Sequence, residues 1–129
     1  MEDTIFTKII KREIPAEILY EDDTVIVILN RFPSIEGETL VITKSPVPYI
    51  FGLDDATYAH LLKVSKNMAE TLDRTFNTLR TCMVVEGFDV AHVHVRLYPV
   101  TTGMLNISQG PKASDEELRV VGDKIRANL

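Results

Sequence analysis

Tryptophan is absent and aromatic residues make up only 7% of the chain, so a stacking platform for single-stranded nucleic acid is not expected. Cysteine occurs once, as Cys82, which excludes a disulfide within the chain and any zinc site built on paired thiolates. A reducing, cytoplasmic setting fits that scarcity. Positive charge is not in excess: the formal net charge is -5, which gives no general attraction to a phosphate backbone, and no nucleic-acid partner is expected. Long hydrophobic runs are missing as well, so neither a membrane span nor a signal peptide is expected. Histidine is rare, and only His60, His92 and His94 are available for nucleophile or metal chemistry.

What is present is an ordinary globular composition, 129 residues with 45% hydrophobic and 26% charged. One domain over residues 1–129 is expected, burying about two thirds of its unfolded surface. Ile5, Phe6, Ile9 and Ile10 stand at helical spacing behind Thr4, a candidate N-cap, and Pro15 is expected to stop that helix. Strands are predicted over residues 18–20, 25–29, 39–43, 81–85 and 90–98, the second apolar throughout and therefore central. Residues 86–89 read as a short hairpin turn, and Pro99 ends or borders the last strand. Cys82 then falls in an interior strand as inert packing.

Asp54 or Asp55 caps a long helix whose apolar stripe, including Leu61, Met68, Leu72 and Phe76, is expected on the sheet. On that helix His60, Lys63, Lys66 and Arg74 read as surface residues. Residues 101–113 form an exposed polar loop, and Ser114 with Glu117 makes a capping box for a last helix carrying Leu118, Val121 and Ile125. The expected fold is α+β: an antiparallel sheet of about five strands, one long packed helix, and short N- and C-terminal helices.

The candidate chemistry lies in Ala91-His92-Val93-His94-Val95-Arg96-Leu97. Strand alternation puts His92, His94 and Arg96 on one face, with same-face neighbours about 7 Å apart, a spacing suited to surrounding one phosphoryl group. A metal site built from His92, His94 and Glu38 is a competing reading, disfavoured by a fixed cation at Arg96 beside a dication.

This segment, with Pro99, resembles the active-site strand of the histidine triad superfamily. The likeness continues upstream through Ile5 to Ile10, Glu13-Ile14-Pro15, Tyr20-Glu21-Asp22, Leu29-Asn30-Arg31 with Pro33 and Gly37, Leu40-Val41-Ile42 and Phe51-Gly52-Leu53. Leu-Asn-Arg-x-Pro is similar to the fragile histidine triad branch, which cleaves dinucleoside polyphosphates. The resemblance implies a nucleotidyl hydrolase or transferase in which His94 attacks the α-phosphorus while its other ring nitrogen donates to a backbone carbonyl. His92 would hold the site's hydrogen bonds, or would simply be a histidine packed at the strand start. It implies that Asn30 contacts the ribose, the alternative being a turn-stabilising role, and that Phe6 and Ile14 line a base pocket, the alternative being core packing. A purine nucleotide substrate, no cofactor, and a homodimer through the long helix and a strand belong to the same expectation.

Several departures qualify it. Arg96 stands where the family usually has histidine; it can fork onto phosphate oxygens but cannot donate a proton, which favours leaving groups that need none. As a cation it is also expected to lower the pKa of His94. Glu38 replaces a common histidine, and is expected either to pair with Arg96 or to sit on the solvated surface. The turn before His92 is shorter than in many members, which predicts weaker preorganisation and slow turnover, or binding without turnover. Thr4 and Thr7 occupy the place of a Cys-x-x-Cys pair in zinc-bearing relatives, so no structural zinc is expected.

Overall fold

A computed structural model describes residues 3–129. Thr4 begins the first helix, α1 (Ile5–Ile10), with a reciprocal cap: its side chain accepts the Thr7 N–H and its own N–H donates to Thr7 Oγ1. The helix ends before Pro15 acts, because Arg12 takes a left-handed conformation at φ 66°. Five strands follow the expected order: β1 (Ile18–Glu21), β2 (Val25–Leu29), β3 (Thr39–Thr43), β4 (Arg80–Val84) and β5 (His94–Val100). They form one antiparallel sheet in the order β1-β2-β3-β5-β4.

The long helix, α2 (Asp55–Phe76), is capped by Asp54, whose carboxylate accepts the Thr57 N–H at 2.7 Å. The last helix, α3 (Asp115–Arg126), has the expected Ser114–Glu117 capping box. A short 3-10 turn at Ile50–Gly52 precedes α2 and was not read from the sequence. The apolar alternation of the central strands explains the layering. Val25, Val27, Leu29, Val41, Val95 and Leu97 face α2 and α3, while Ile26, Ile28, Leu40 and Ile42 pack against Phe6 and Ile9 of α1. Both faces of β2 and β3 are therefore buried, as an uninterrupted β-branched run requires.

Two expectations about the last strands are corrected, while Pro99 stands at the strand's margin as expected. β5 begins at His94 rather than Val90, so the predicted four-residue turn becomes a nine-residue connection, residues 85–93. That segment leaves the ladder at Val93, whose N–H donates to Val47 O at 2.8 Å although its carbonyl still accepts from Thr43 N–H of β3 at 3.3 Å. Pro99 lies near the end of β5, beyond the last β3 pair at Leu97, where only β4 accompanies the strand and a missing N–H is tolerated. β4 is an edge strand, which leaves Cys82 half-buried rather than interior.

On the molecule's other flank, His60 is not merely a surface group. Its Nε2 lies 2.7 Å from Asp22 Oδ2, tying α2 to the β1–β2 turn. Burial opposes ionisation of Asp22, yet hydrogen bonds from Val25, His60, Tyr20 and Thr24 hold its carboxyl below the usual range. Among the described residues no helix is long and apolar enough to cross a membrane.

Candidate active site

Alternation along β5 sends His94 and Arg96 to the α1 side of the sheet, opposite Ile42 and Leu40 of β3. There they open into a cavity of about 700 Å³. Its wall also includes Phe6, Ile14, Asn30 and Glu38, so the structure brings together every residue singled out from the sequence except His92.

His92 sits behind the cavity, fully buried at 0% exposure. It precedes β5, so its placement comes from two non-local contacts rather than from strand alternation. Nε2 donates to the Thr43 carbonyl at 2.6 Å, and Nδ1 faces Thr4 Oγ1 at 3.5 Å. Burial lowers the pKa of His92 from the ordinary 6.5, against the hydrogen bond to Thr43, which raises it. The ring is neutral at pH 7, with its proton on the nitrogen that faces a carbonyl.

His94 is 2% exposed, and its Nδ1 donates to the His92 carbonyl at 2.7 Å. A carbonyl only accepts, so Nδ1 carries the proton and Nε2 keeps its lone pair. The His94 pKa is also lowered from 6.5: burial is the largest cause, the His92 carbonyl opposes it, and the Arg96 charge adds to the lowering. The expected influence of Arg96 is present but secondary. Phe6 packs on both imidazoles, with ring centroids 4.8 Å from His94 at 66° and 5.8 Å from His92 at 88°. At 5% exposure it braces both imidazoles as well as contributing to the wall.

Glu38 overturns both expectations made for it. It is buried, 2% exposed, and it does not pair with Arg96. Its Oε2 accepts Asn30 Nδ2 at 2.6 Å, and its Oε1 accepts the Ser34 N–H at 2.8 Å and the Ser34 hydroxyl at 3.3 Å. Asn30 Oδ1 in turn accepts the Phe32 N–H at 3.0 Å. Asn30 and Glu38 thus lock the loop between β2 and β3 while presenting their remaining surface to the cavity. Arg96 is held instead by Glu86 Oε1 and Asp89 Oδ2, each at 3.4 Å, from the connection leading into β5. His92, His94 and Glu38 do not converge, because each is committed to a different partner, and no group of three or more potential metal-ligating residues occurs among the described residues. Thr4 and Thr7 serve the α1 cap.

Sequence reading missed the contribution of the loop at residues 101–113. Ser108, Gln109 and Lys112 reach the cavity wall because the loop crosses the β2–β3 connection. Gly110 N–H donates to Phe32 O at 3.1 Å, Ala113 N–H to Arg31 O at 2.8 Å, and Ser34 Oγ to Asn106 O at 2.7 Å. Gly110 is required there, since a Cβ would stand 1.9 Å from the Pro33 carbonyl oxygen. No local periodicity announces such contacts. Glu86 and Asp89 gave a weak signal: two carboxylates immediately before a strand that carries an inward arginine.

An antiparallel sheet with a neutral imidazole and an arginine facing one cavity defines a domain of the histidine-triad type. The HIT domain model matches residues 11–101, and the chain belongs to that family, whose members are generally nucleotide-binding hydrolases. It is 43% identical over 101 residues to a HIT-like protein of Synechocystis, covering 74% of this chain and 89% of that one. The fold matches the crystal structure of a Hit-like protein involved in cell-cycle regulation from Bartonella henselae with a TM-score of 0.85 and 29% identity, over 97% of this chain and 95% of that one. A hypothetical histidine triad nucleotide-binding protein of Sulfolobus tokodaii shares the fold at a TM-score of 0.86 and 24% identity, over 97% and 91% of the two chains.

Proposed function

We propose that the protein is a nucleotidyl hydrolase or transferase that cleaves a purine nucleotide phosphoanhydride or phosphoramidate at the α-phosphorus through His94, as in the fragile histidine triad branch that acts on dinucleoside polyphosphates. The observation that carries this reading is the His94 Nδ1 to His92 carbonyl hydrogen bond of 2.7 Å, which leaves Nε2 unprotonated in a ring that lines the cavity. In the first step Nε2 attacks phosphorus, the bond from phosphorus to the leaving group breaks, and its electron pair departs with that group. The His92 carbonyl stabilises the positive charge gained by the ring. Water then attacks the same phosphorus and gives up a proton to solvent, the phosphorus–Nε2 bond breaks with its pair returning to Nε2, and the mononucleotide is released.

Arg96 supplies charge to the phosphate oxygens, and a leaving phosphate needs no proton from it, whereas an amine leaving group takes its proton from solvent water. The apolar wall of Ile14 and Leu40 suits a base, and the Asn30–Glu38 pair suits ribose hydroxyls. The test is incubation with diadenosine polyphosphate, diguanosine polyphosphate and adenosine phosphoramidate, with intact-mass detection of an adduct. Cleavage with a nucleotidyl mass increment that His94→Ala abolishes is the expected result; binding without release of mononucleotide overturns it.

A second reading, a nucleotide-binding regulator with little turnover, is favoured by one observation. Arg96 is engaged by two carboxylates, and its guanidinium cannot replace an acidic third histidine. The expected homodimer is part of the proposal, supported by the open edge of β4, where Met83 is exposed, as is Leu79 just before the strand.

A further inference from the structure

Tyr98 is the next residue after Arg96 to point to the α1 side of β5, since His94, Arg96 and Tyr98 alternate on one face. It is 1% exposed, yet its hydroxyl is the one buried side-chain polar atom among the described residues without a hydrogen-bond partner. A buried hydroxyl in that state is destabilising, and phenylalanine would fill the same space without the cost. The phenol is surrounded by groups of the site. The Arg96 guanidinium lies beside it without reaching hydrogen-bond geometry, and the Glu38 and Glu86 carboxylates are near enough to act on it electrostatically.

Two of these neighbours, the carboxylates, are already committed: Glu86 meets Arg96 with Oε1 and accepts the Phe88 N–H with Oε2. Both Glu38 oxygens receive donors from Asn30 and Ser34, which leaves Arg96 as the group with N–H donors to give. Arg96 itself is poised to move, because its two carboxylate contacts are long, 3.4 Å each, and one comes from Asp89, whose side chain is 78% exposed. A phosphate forming a bidentate pair with the guanidinium would displace them.

Resting on the function proposed above, we infer that Tyr98 is a positioning residue for Arg96: its phenolic oxygen accepts an Arg96 N–H when the guanidinium turns from Glu86 and Asp89 to the phosphoryl group, and so sets the orientation of the fork during transfer. The unpartnered hydroxyl of the unliganded protein is then completed by the same movement that engages substrate. Tyr98 touches no reacting atom and works through Arg96 alone. Burial, the largest cause, keeps its pKa above the ordinary 10, the Glu38 and Glu86 charges add to this and Arg96 opposes it, so the group is a neutral phenol at pH 7.

Tyr98→Phe, Arg96→Lys and the double variant are compared on the polyphosphate and phosphoramidate probes, with kcat and KM measured separately and thermal unfolding alongside. The expected result is a kcat lower by about tenfold in Tyr98→Phe, the scale of one transition-state hydrogen bond, with KM changed less and Tm equal or higher. In the Arg96→Lys background the same substitution adds little further loss. A structural role moves Tm and leaves kcat alone, so wild-type kcat in Tyr98→Phe overturns the inference while leaving the function standing. An undiminished Tyr98→Phe effect in the Arg96→Lys background also overturns it. If the wild type itself cleaves none of the probes, the proposed function fails and the inference falls with it.

Discussion

The His94 ring donates from Nδ1 to the carbonyl of His92, two residues earlier, at 2.7 Å. One short contact fixes the tautomer, the ring plane and the nitrogen left unprotonated. It also joins the two histidines in a chain of support, since the ring of His92 is itself held by Thr43.

That arrangement predicts an acid limb displaced to low pH. In the proposed reaction His94 attacks as a neutral ring, and its pKa is lowered from 6.5, chiefly by burial, so kcat/KM is expected to stay flat as pH falls through 6.5 and to decline only as pH passes the lower folded value. Stability behaves differently. Between the folded and unfolded pKa values of His92 and His94 the unfolded chain binds more protons, so stability is full above 6.5 and is lost progressively below it. A pH–rate profile beside Tm against pH is expected to separate the two, and an acid limb at or above 6.5 contradicts the burial of His94.

His92→Ala is expected to lose stability before it reveals anything about chemistry. It empties a fully buried site and strands the Thr43 carbonyl, together costing about 2–4 kcal/mol. Chemical denaturation measures this directly. A wild-type midpoint would mean that the ring contributes nothing to folding.

Glu38→Gln separates charge repulsion from loop support. A neutral amide removes repulsion toward phosphate but places an NH₂ against donors from Asn30 or Ser34, which costs about 1–3 kcal/mol. The expected outcome is a lower Tm with no gain in nucleotide affinity, read by calorimetry; tighter binding at unchanged Tm would restore the repulsion argument.

Gly110→Ala tests the loop across the cavity. The added methyl meets the Pro33 carbonyl oxygen and must push residues 108–112 outward, carrying Ser108, Gln109 and Lys112 from the wall. Because the loop is largely exposed, KM is expected to rise several-fold with Tm falling by only a few degrees. Equal kinetics in the variant would show that the loop does not touch substrate.

Met83→Lys addresses the proposed dimer. Met83 is 54% exposed on edge strand β4, and a charge there blocks strand pairing between copies. Light scattering is expected to show a dimer for the wild type and a monomer for the variant; a monomeric wild type at micromolar concentration removes the proposal.

Local signals carried the framework. The helix caps at Thr4, Asp54 and Ser114 and the strands Val25–Leu29 and Thr39–Thr43 stand where capping chemistry and β-branched runs put them, because each depends on residues a few positions apart. The shared face of His94 and Arg96 was legible for the same reason: a two-residue period needs no distant partner.

The partners of those residues were decided by the tertiary structure alone. Arg96 chooses Glu86 and Asp89 over Glu38 because the nine-residue connection before β5 folds back on the sheet, while Glu38 is turned inward by Asn30 and Ser34. His92 is set by Thr43, 49 residues away, and the loop beyond β5 reaches the cavity through a hydrogen bond from Gly110 to Phe32. Such contacts join segments that share no periodicity. The scarcity of histidine and cysteine therefore told which residues were available for chemistry, and packing left one imidazole with a free ring nitrogen at the cavity and made the other its buried support.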